Sequence, residues 1–124
     1  MTLALWCVLI AALLPFPFTL AAKASKRFDN AKPREYLDAL SGWRKRAHAT
    51  QLNSFEAFPP FAAAVIIAQM LHTAPQARID GLAIAFVVFR ILFGLCYLAD
   101  KATLRSLAWF GGVGCIVGLF LISA

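Results

Sequence analysis

A chain of 124 residues that is 61% apolar, with a mean hydropathy of +0.74, makes one domain at most and cannot bury that much apolar surface as a soluble protein. The net charge of +6 does not point to nucleic acid, because eight of the twelve Lys and Arg fall between Lys23 and Arg46, on the flank of apolar segments where basic residues meet lipid headgroups. What is left is an integral membrane protein of the all-α kind: four segments approach the roughly 20 residues that cross a bilayer, and none alternates as a strand would.

The first segment is Thr2–Ala22. Its LAAKA end offers small residues for signal cleavage, but its start carries no Lys or Arg and its apolar run outlasts a usual signal core. A retained first span is therefore expected, kinked near its far end by Pro15 and Pro17. From Lys23 to Gly42 the chain is polar and carries both charge signs. Pro33 marks a turn there, and a short helix is expected to begin within Arg34–Leu40. Trp43, Arg44, Lys45 and Arg46 then read as an anchor at headgroup level.

The second span is expected over about Thr50–Leu71, and HATQLNSFEAFPP (His48–Pro60) leads into it. Asn53 and Glu56, three residues apart, point to one side of a helix, and Arg46 lies two turns before Asn53 on the same stripe. With FAAAVIIAQML in lipid, the Glu56 carboxylate is already below the surface, where it is costly unless paired or functional. His72–Arg78 is a tight connection broken by Pro75, and His72 reads as an exposed loop histidine without a partner at ligand spacing.

The third span, Ile79–Leu98, holds Arg90 within AFVVFRILFGL, and an intramembrane arginine implies a partner or a function. Glu56, at similar depth, is the expected partner. Phe93 and Tyr97 follow on the face of Arg90. The fourth span, Leu104–Ser123, has Arg105 at its start and carries GGVG and Gly118, small residues that let helices approach closely. Cys7, Cys96 and Cys115 each stand alone in apolar sequence and are expected as buried thiols rather than metal ligands.

Loop charge sets an expected orientation. Loop one has eight Lys and Arg and loop three adds Lys101 and Arg105, against Arg78 alone in loop two. Loops one and three are therefore expected in the cytoplasm and both termini across the membrane. That gathers Arg46, Asn53, Glu56, Tyr97 and Arg105 in the cytoplasmic half, with Arg90 about 10 Å deeper than Tyr97 by helical rise.

A small four-span chain with Asn-x-x-Glu, prolines opening its second span and a basic first loop resembles the MAPEG family, the membrane-associated proteins in eicosanoid and glutathione metabolism. The similarity covers nearly the whole chain, as a single domain over residues 1–124, and is most specific in RAHATQLNSFEAFPPF. It implies a left-handed four-transmembrane-helix bundle that assembles as a homotrimer, in a bacterial inner membrane. It also implies glutathione as co-substrate, bound at the cytoplasmic side between protomers. Asn53, Glu56 and Tyr97 match the family's glutathione contacts, Arg90 resembles an arginine of some members, and Arg105, followed by Ser106, matches the thiol-activating arginine.

Two positions depart from the family pattern. Ala49 stands where an arginine is usual, leaving Arg46 as the nearest basic candidate. Phe93 stands where an aromatic or histidine donor is usual, and its side chain cannot hydrogen-bond. Two function classes follow: a glutathione transferase or peroxidase taking lipophilic electrophiles or hydroperoxides from the membrane, or a non-catalytic protein of the same fold that binds lipid or a protein partner. The two departures favour the second; Asn53, Glu56, Tyr97 and Arg105 together favour the first.

Overall fold

The computed structural model describes residues 1–124 and consists of helices alone. In chain order they are α1 (Leu3–Leu13), α2 (Pro15–Lys23), α3 (Pro33–Asp38), α4 (Gly42–Leu71), α5 (Gln76–Leu98) and α6 (Ala102–Ser123). α1 and α2 together make one span, Leu3–Lys23, and α4, α5 and α6 make three more. The result is the expected all-α bundle of four helices long and apolar enough to cross a membrane.

The first span divides where its prolines require it. Pro15 has no N–H to give the Ala11 carbonyl, so the helix steps at Leu14 and restarts with Pro15 and Pro17 in the first turn of α2, where missing donors matter least. Ala4, Cys7 and Ala11, at helical spacing, sink one face of α1 into the main core. Its start is tied to α5: the Asp80 carboxylate accepts from the Ala4 amide at 2.8 Å and from Gln76 Nε2 at 2.9 Å. A carboxylate at a helix N-terminus is favoured by the amides left free there. At its other end this span reaches α5 through Gly94, where any Cβ would collide with the Phe18 ring.

α4 begins at Gly42, well before the expected Thr50, because the anchor residues Trp43–Arg46 continue the same helix. It also runs through Pro59 and Pro60 unbroken. These prolines deprive the Phe55 and Glu56 carbonyls of their usual amide partners. The helix survives because the next turns are held by burial: Phe61, Ala64, Val65 and Ala68 all lie in the core, and the Phe61 ring stacks on Phe86 with centroids 3.8 Å apart. α5 begins three residues earlier than expected, so the connection shrinks to His72–Pro75, with His72 exposed and left-handed (φ 53°).

α5 and α6 pack closely along the glycines of α6. Gly112 is the position that matters for the site, because it lies over the Arg90 stem and the Phe86 ring. Cys7 and Cys115 are buried thiols as expected; Cys96 is only half-buried, since its side of α5 faces an apolar groove beside Leu104 and Leu107. In the first loop, α3 rests its Leu37 on Ala22 and Ala47, and Asp38 approaches His48 of α4 at 3.8 Å.

Candidate functional site

The one charged side chain buried in the bundle is that of Arg90, only 3% exposed. Such a guanidinium must find acceptors inside the protein, because lipid supplies none. Its Nη2 donates to Asn53 Oδ1 at 2.8 Å and, at the limit of hydrogen-bond distance, to Ser54 Oγ at 3.5 Å. The Ser54 hydroxyl in turn donates to the Thr50 carbonyl at 2.8 Å. Asn53 passes the polarisation outward, its Nδ2 donating to Glu56 Oε2 at 3.4 Å.

The expected direct pair between Glu56 and Arg90 does not form. Neither of the chain's two ion pairs involves them. Asn53, one turn earlier on the same face, fills the position between them, and Glu56 projects from the bundle surface instead. Phe93 also has a part that a donor test misses. Its ring lies beneath the Arg90 guanidinium, 4.2 Å from centroid to carbon, and offers a π-face to the cation.

The same face continues toward the α5–α6 turn. Phe93 meets Tyr97 edge to face at 5.6 Å, and the Arg105 guanidinium stands 4.5 Å over the Tyr97 ring. Arg105 has no carboxylate at ion-pair distance. Two adjoining cavities open along this face. The inner one, about 250 Å³, is lined by Asn53, Glu56, Pro60, Phe86, Arg90, Trp109, Gly112 and neighbouring apolar residues. The outer one, about 290 Å³, is lined by Asn53, Phe93, Tyr97, Arg105, Ser106, Trp109 and Phe110. Asn53 and Trp109 belong to both.

Five of the six residues singled out in the sequence thus meet at one place: Asn53, Glu56, Arg90, Tyr97 and Arg105. Arg46 lies elsewhere. Its Nη2 donates to the Leu98 carbonyl at 3.3 Å, and it lines neither cavity. The reason is local, since the last carbonyls of α5 lack helical donors and a cation is favoured at that end. Sequence reasoning missed Trp109, Ser54 and Phe86. Trp109 is four residues after Arg105, a spacing that puts both on one face of α6.

What the arrangement can do follows from its charges. The outer cavity holds a fixed cation with no carboxylate partner, a phenol and a hydroxyl, and so suits an anion or a polarisable sulfur. The inner cavity is apolar except for Arg90 at one wall and Glu56 and Asn53 at its rim.

Comparison with known proteins agrees with this architecture. The family model described as MAPEG family matches residues 3–124, essentially the whole chain, and the chain belongs to that family. No curated protein matches it.

The bridging role of Asn53 is testable by thermal unfolding in detergent. Asn53→Ala strips the acceptor from a buried guanidinium and is expected to cost about 1.5–3 kcal/mol, the usual range for a hydrogen bond to a charged group. Glu56→Gln, at an exposed position with only a long contact to Asn53, should cost far less. The opposite order would restore the direct Glu56–Arg90 pair.

Proposed function

With MAPEG membership as the premise, we propose that this chain binds glutathione in the outer cavity and delivers its sulfur to a lipophilic electrophile or hydroperoxide that arrives through the bilayer. The observation that carries the reading is the Arg105 guanidinium, free of any carboxylate and held over Tyr97 in a cavity that also contains Ser106 and Asn53. A thiol is a weak nucleophile until it ionises, at a pKa of about 8.5 when free. A guanidinium favours the anion without losing its own proton. Arg105 stands near the start of α6, so the helix dipole adds to the same effect. The Ser106 hydroxyl supplies a further donor to the sulfur, and Tyr97 fixes the plane of the guanidinium.

The remaining residues bind and orient. Glu56, exposed at the rim of the adjoining inner cavity, is a carboxylate suited to the ammonium end of a peptide that reaches past Asn53, the residue common to both cavities. The open flank of this face, with Glu56 and Trp109 both exposed, supports assembly as a homotrimer in which a neighbouring copy closes the site. The charge of the first and third loops supports an orientation with both in the cytoplasm of a bacterial cell, where the outer cavity would face glutathione.

One observation favours the alternative, a non-catalytic member binding lipid or a protein. Arg46 is committed to the Leu98 carbonyl and does not replace the arginine missing at Ala49. The outer cavity therefore offers a single guanidinium to a ligand with two carboxylates, which implies weak affinity.

Ultraviolet difference absorbance at neutral pH separates the two readings when glutathione is supplied at millimolar level. Wild type should show bound thiolate, lost as the pH falls through the lowered thiol pKa. Arg105→Leu should return the bound thiol toward its free pKa of about 8.5, which leaves only about 3% thiolate at pH 7. Asn53→Ala should weaken binding. No thiolate and no glutathione-dependent protection from heat would leave the non-catalytic reading standing.

Orientation has its own check. A reporter fused after Ala124 is expected on the side opposite the cytoplasm; a cytoplasmic carboxyl terminus would overturn the placement of loops one and three.

A further inference from the structure

A different side of the α5–α6 pair carries a third cavity, which shares no residue with the two of the site. It is a groove of about 320 Å³ lined by Phe89, Leu92, Cys96, Leu104, Leu107 and Ala108, and its walls are apolar throughout. Along α5 it runs from Phe89 to Cys96, about 10 Å by helical rise. Buried Ala108 forms its floor, and the Phe89 ring closes its deep end by lying across Gly111, where any Cβ would collide with it. Leu92, Leu104 and Leu107 stay exposed along its edges, on two helices that span the membrane, so it opens to lipid. Its other end meets the turn between the two spans, at headgroup level. There the Lys101 amide donates to the Cys96 carbonyl at 2.8 Å, which seats Lys101 directly past the groove. Asp100 precedes it in left-handed backbone (φ 58°). Both side chains are exposed, and neither belongs to either of the chain's two ion pairs. Adjacent opposite charges, each without an ion-pair partner, thus stand at the mouth of an apolar groove.

We propose that this groove holds an acyl chain of a phospholipid with an ethanolamine headgroup, its phosphate at Lys101 and its ammonium at Asp100. The walls set the first part of that assignment: they offer no polar group that a hydrocarbon chain would leave unpaired. Charge sets the second. A headgroup with net negative charge gives Lys101 a partner but places its charge beside Asp100, which repels it. A choline headgroup brings the same phosphate, but its quaternary nitrogen has no N–H for the Asp100 carboxylate to accept. A primary ammonium next to a phosphate answers both charges. The inference does not rest on the thiol reading, since Asp100, Lys101 and the groove residues line neither cavity of the site.

Native mass spectrometry of detergent-purified protein, supplied with phosphatidylethanolamine, phosphatidylcholine or phosphatidylglycerol of identical chains, tests the headgroup. Wild type should retain the ethanolamine lipid about three-fold more than either of the others, the scale of one exposed ion pair. Asp100→Asn keeps a residue that tolerates left-handed backbone and should remove that preference. Lys101→Gln should lower retention of the ethanolamine lipid by a similar factor. Alkylation of Cys96 by N-ethylmaleimide, followed by peptide mass, locates the chain without any substitution in the groove. Phosphatidylethanolamine should slow it by a similar factor, and glycerophosphoethanolamine, which has no chains, should not. Equal retention of the three lipids, tighter retention of phosphatidylglycerol, or an unchanged preference in Asp100→Asn would overturn the proposal. So would Cys96 alkylation that phosphatidylethanolamine leaves unaltered, the result expected where a second copy of the chain covers the groove.

Discussion

The hydrogen bond from Arg90 to Asn53 is the contact on which the rest of the site depends. A guanidinium within a membrane bundle cannot be left to solvent, and its charge is not relieved by losing a proton. Its acceptors must come from the facing helix, and that fixes the rotation of α4: Asn53 and Ser54 turn inward, and Glu56 is carried to the rim. The rotation of α5 is fixed by the same demand, with Phe93 drawn beneath the cation and Tyr97 carried one turn further toward Arg105. Gly112 then lets α6 lie against the Arg90 stem. Remove the charge, and nothing of comparable strength dictates where Asn53 points.

From this follows the division of the site into two cavities with common walls. Asn53 is locked by Arg90 on one side and faces Arg105 territory on the other, so the inner and outer chambers share a residue whose position is not free. Trp109, on α6, completes the partition. All the polar groups involved are carried by long transmembrane helices rather than by loops, which makes their spacing a property of the bundle. The prolines of α4 contribute in the same region: they free the Phe55 and Glu56 carbonyls beside the cavity, and the stacked Phe61 and Phe86 rings below hold the helix straight enough to continue.

The fold was legible because lipid leaves a chain few choices. Apolar runs of sufficient length become helices, and charge places their ends. Where the reading fell short, an end was judged by polarity: Trp43–Arg46 is polar yet helical, so α4 starts earlier than its apolar run. Asn53, Glu56, Arg90, Tyr97 and Arg105 were legible because helical spacing and depth both point to one half of one face. Which acceptor Arg90 chooses was not, since Asn53 and Glu56 share a face and only the angle between α4 and α5 decides. The same angle puts Arg46 at the end of α5 rather than in the cavity. Trp109 depends on how α6 rotates against two other helices, which one sequence does not encode locally.

The central claim is that Arg90 and Asn53 act as one unit, and a double-mutant cycle measures it most directly. Arg90→Met, Asn53→Leu and the double variant would be compared with wild type by reversible unfolding in detergent. The account predicts a coupling of at least about 1 kcal/mol, within the range found for residues that share a hydrogen bond, with the double variant more stable than the sum of the singles implies. Additive losses within about 0.3–0.5 kcal/mol, as for sites that do not touch, would contradict it.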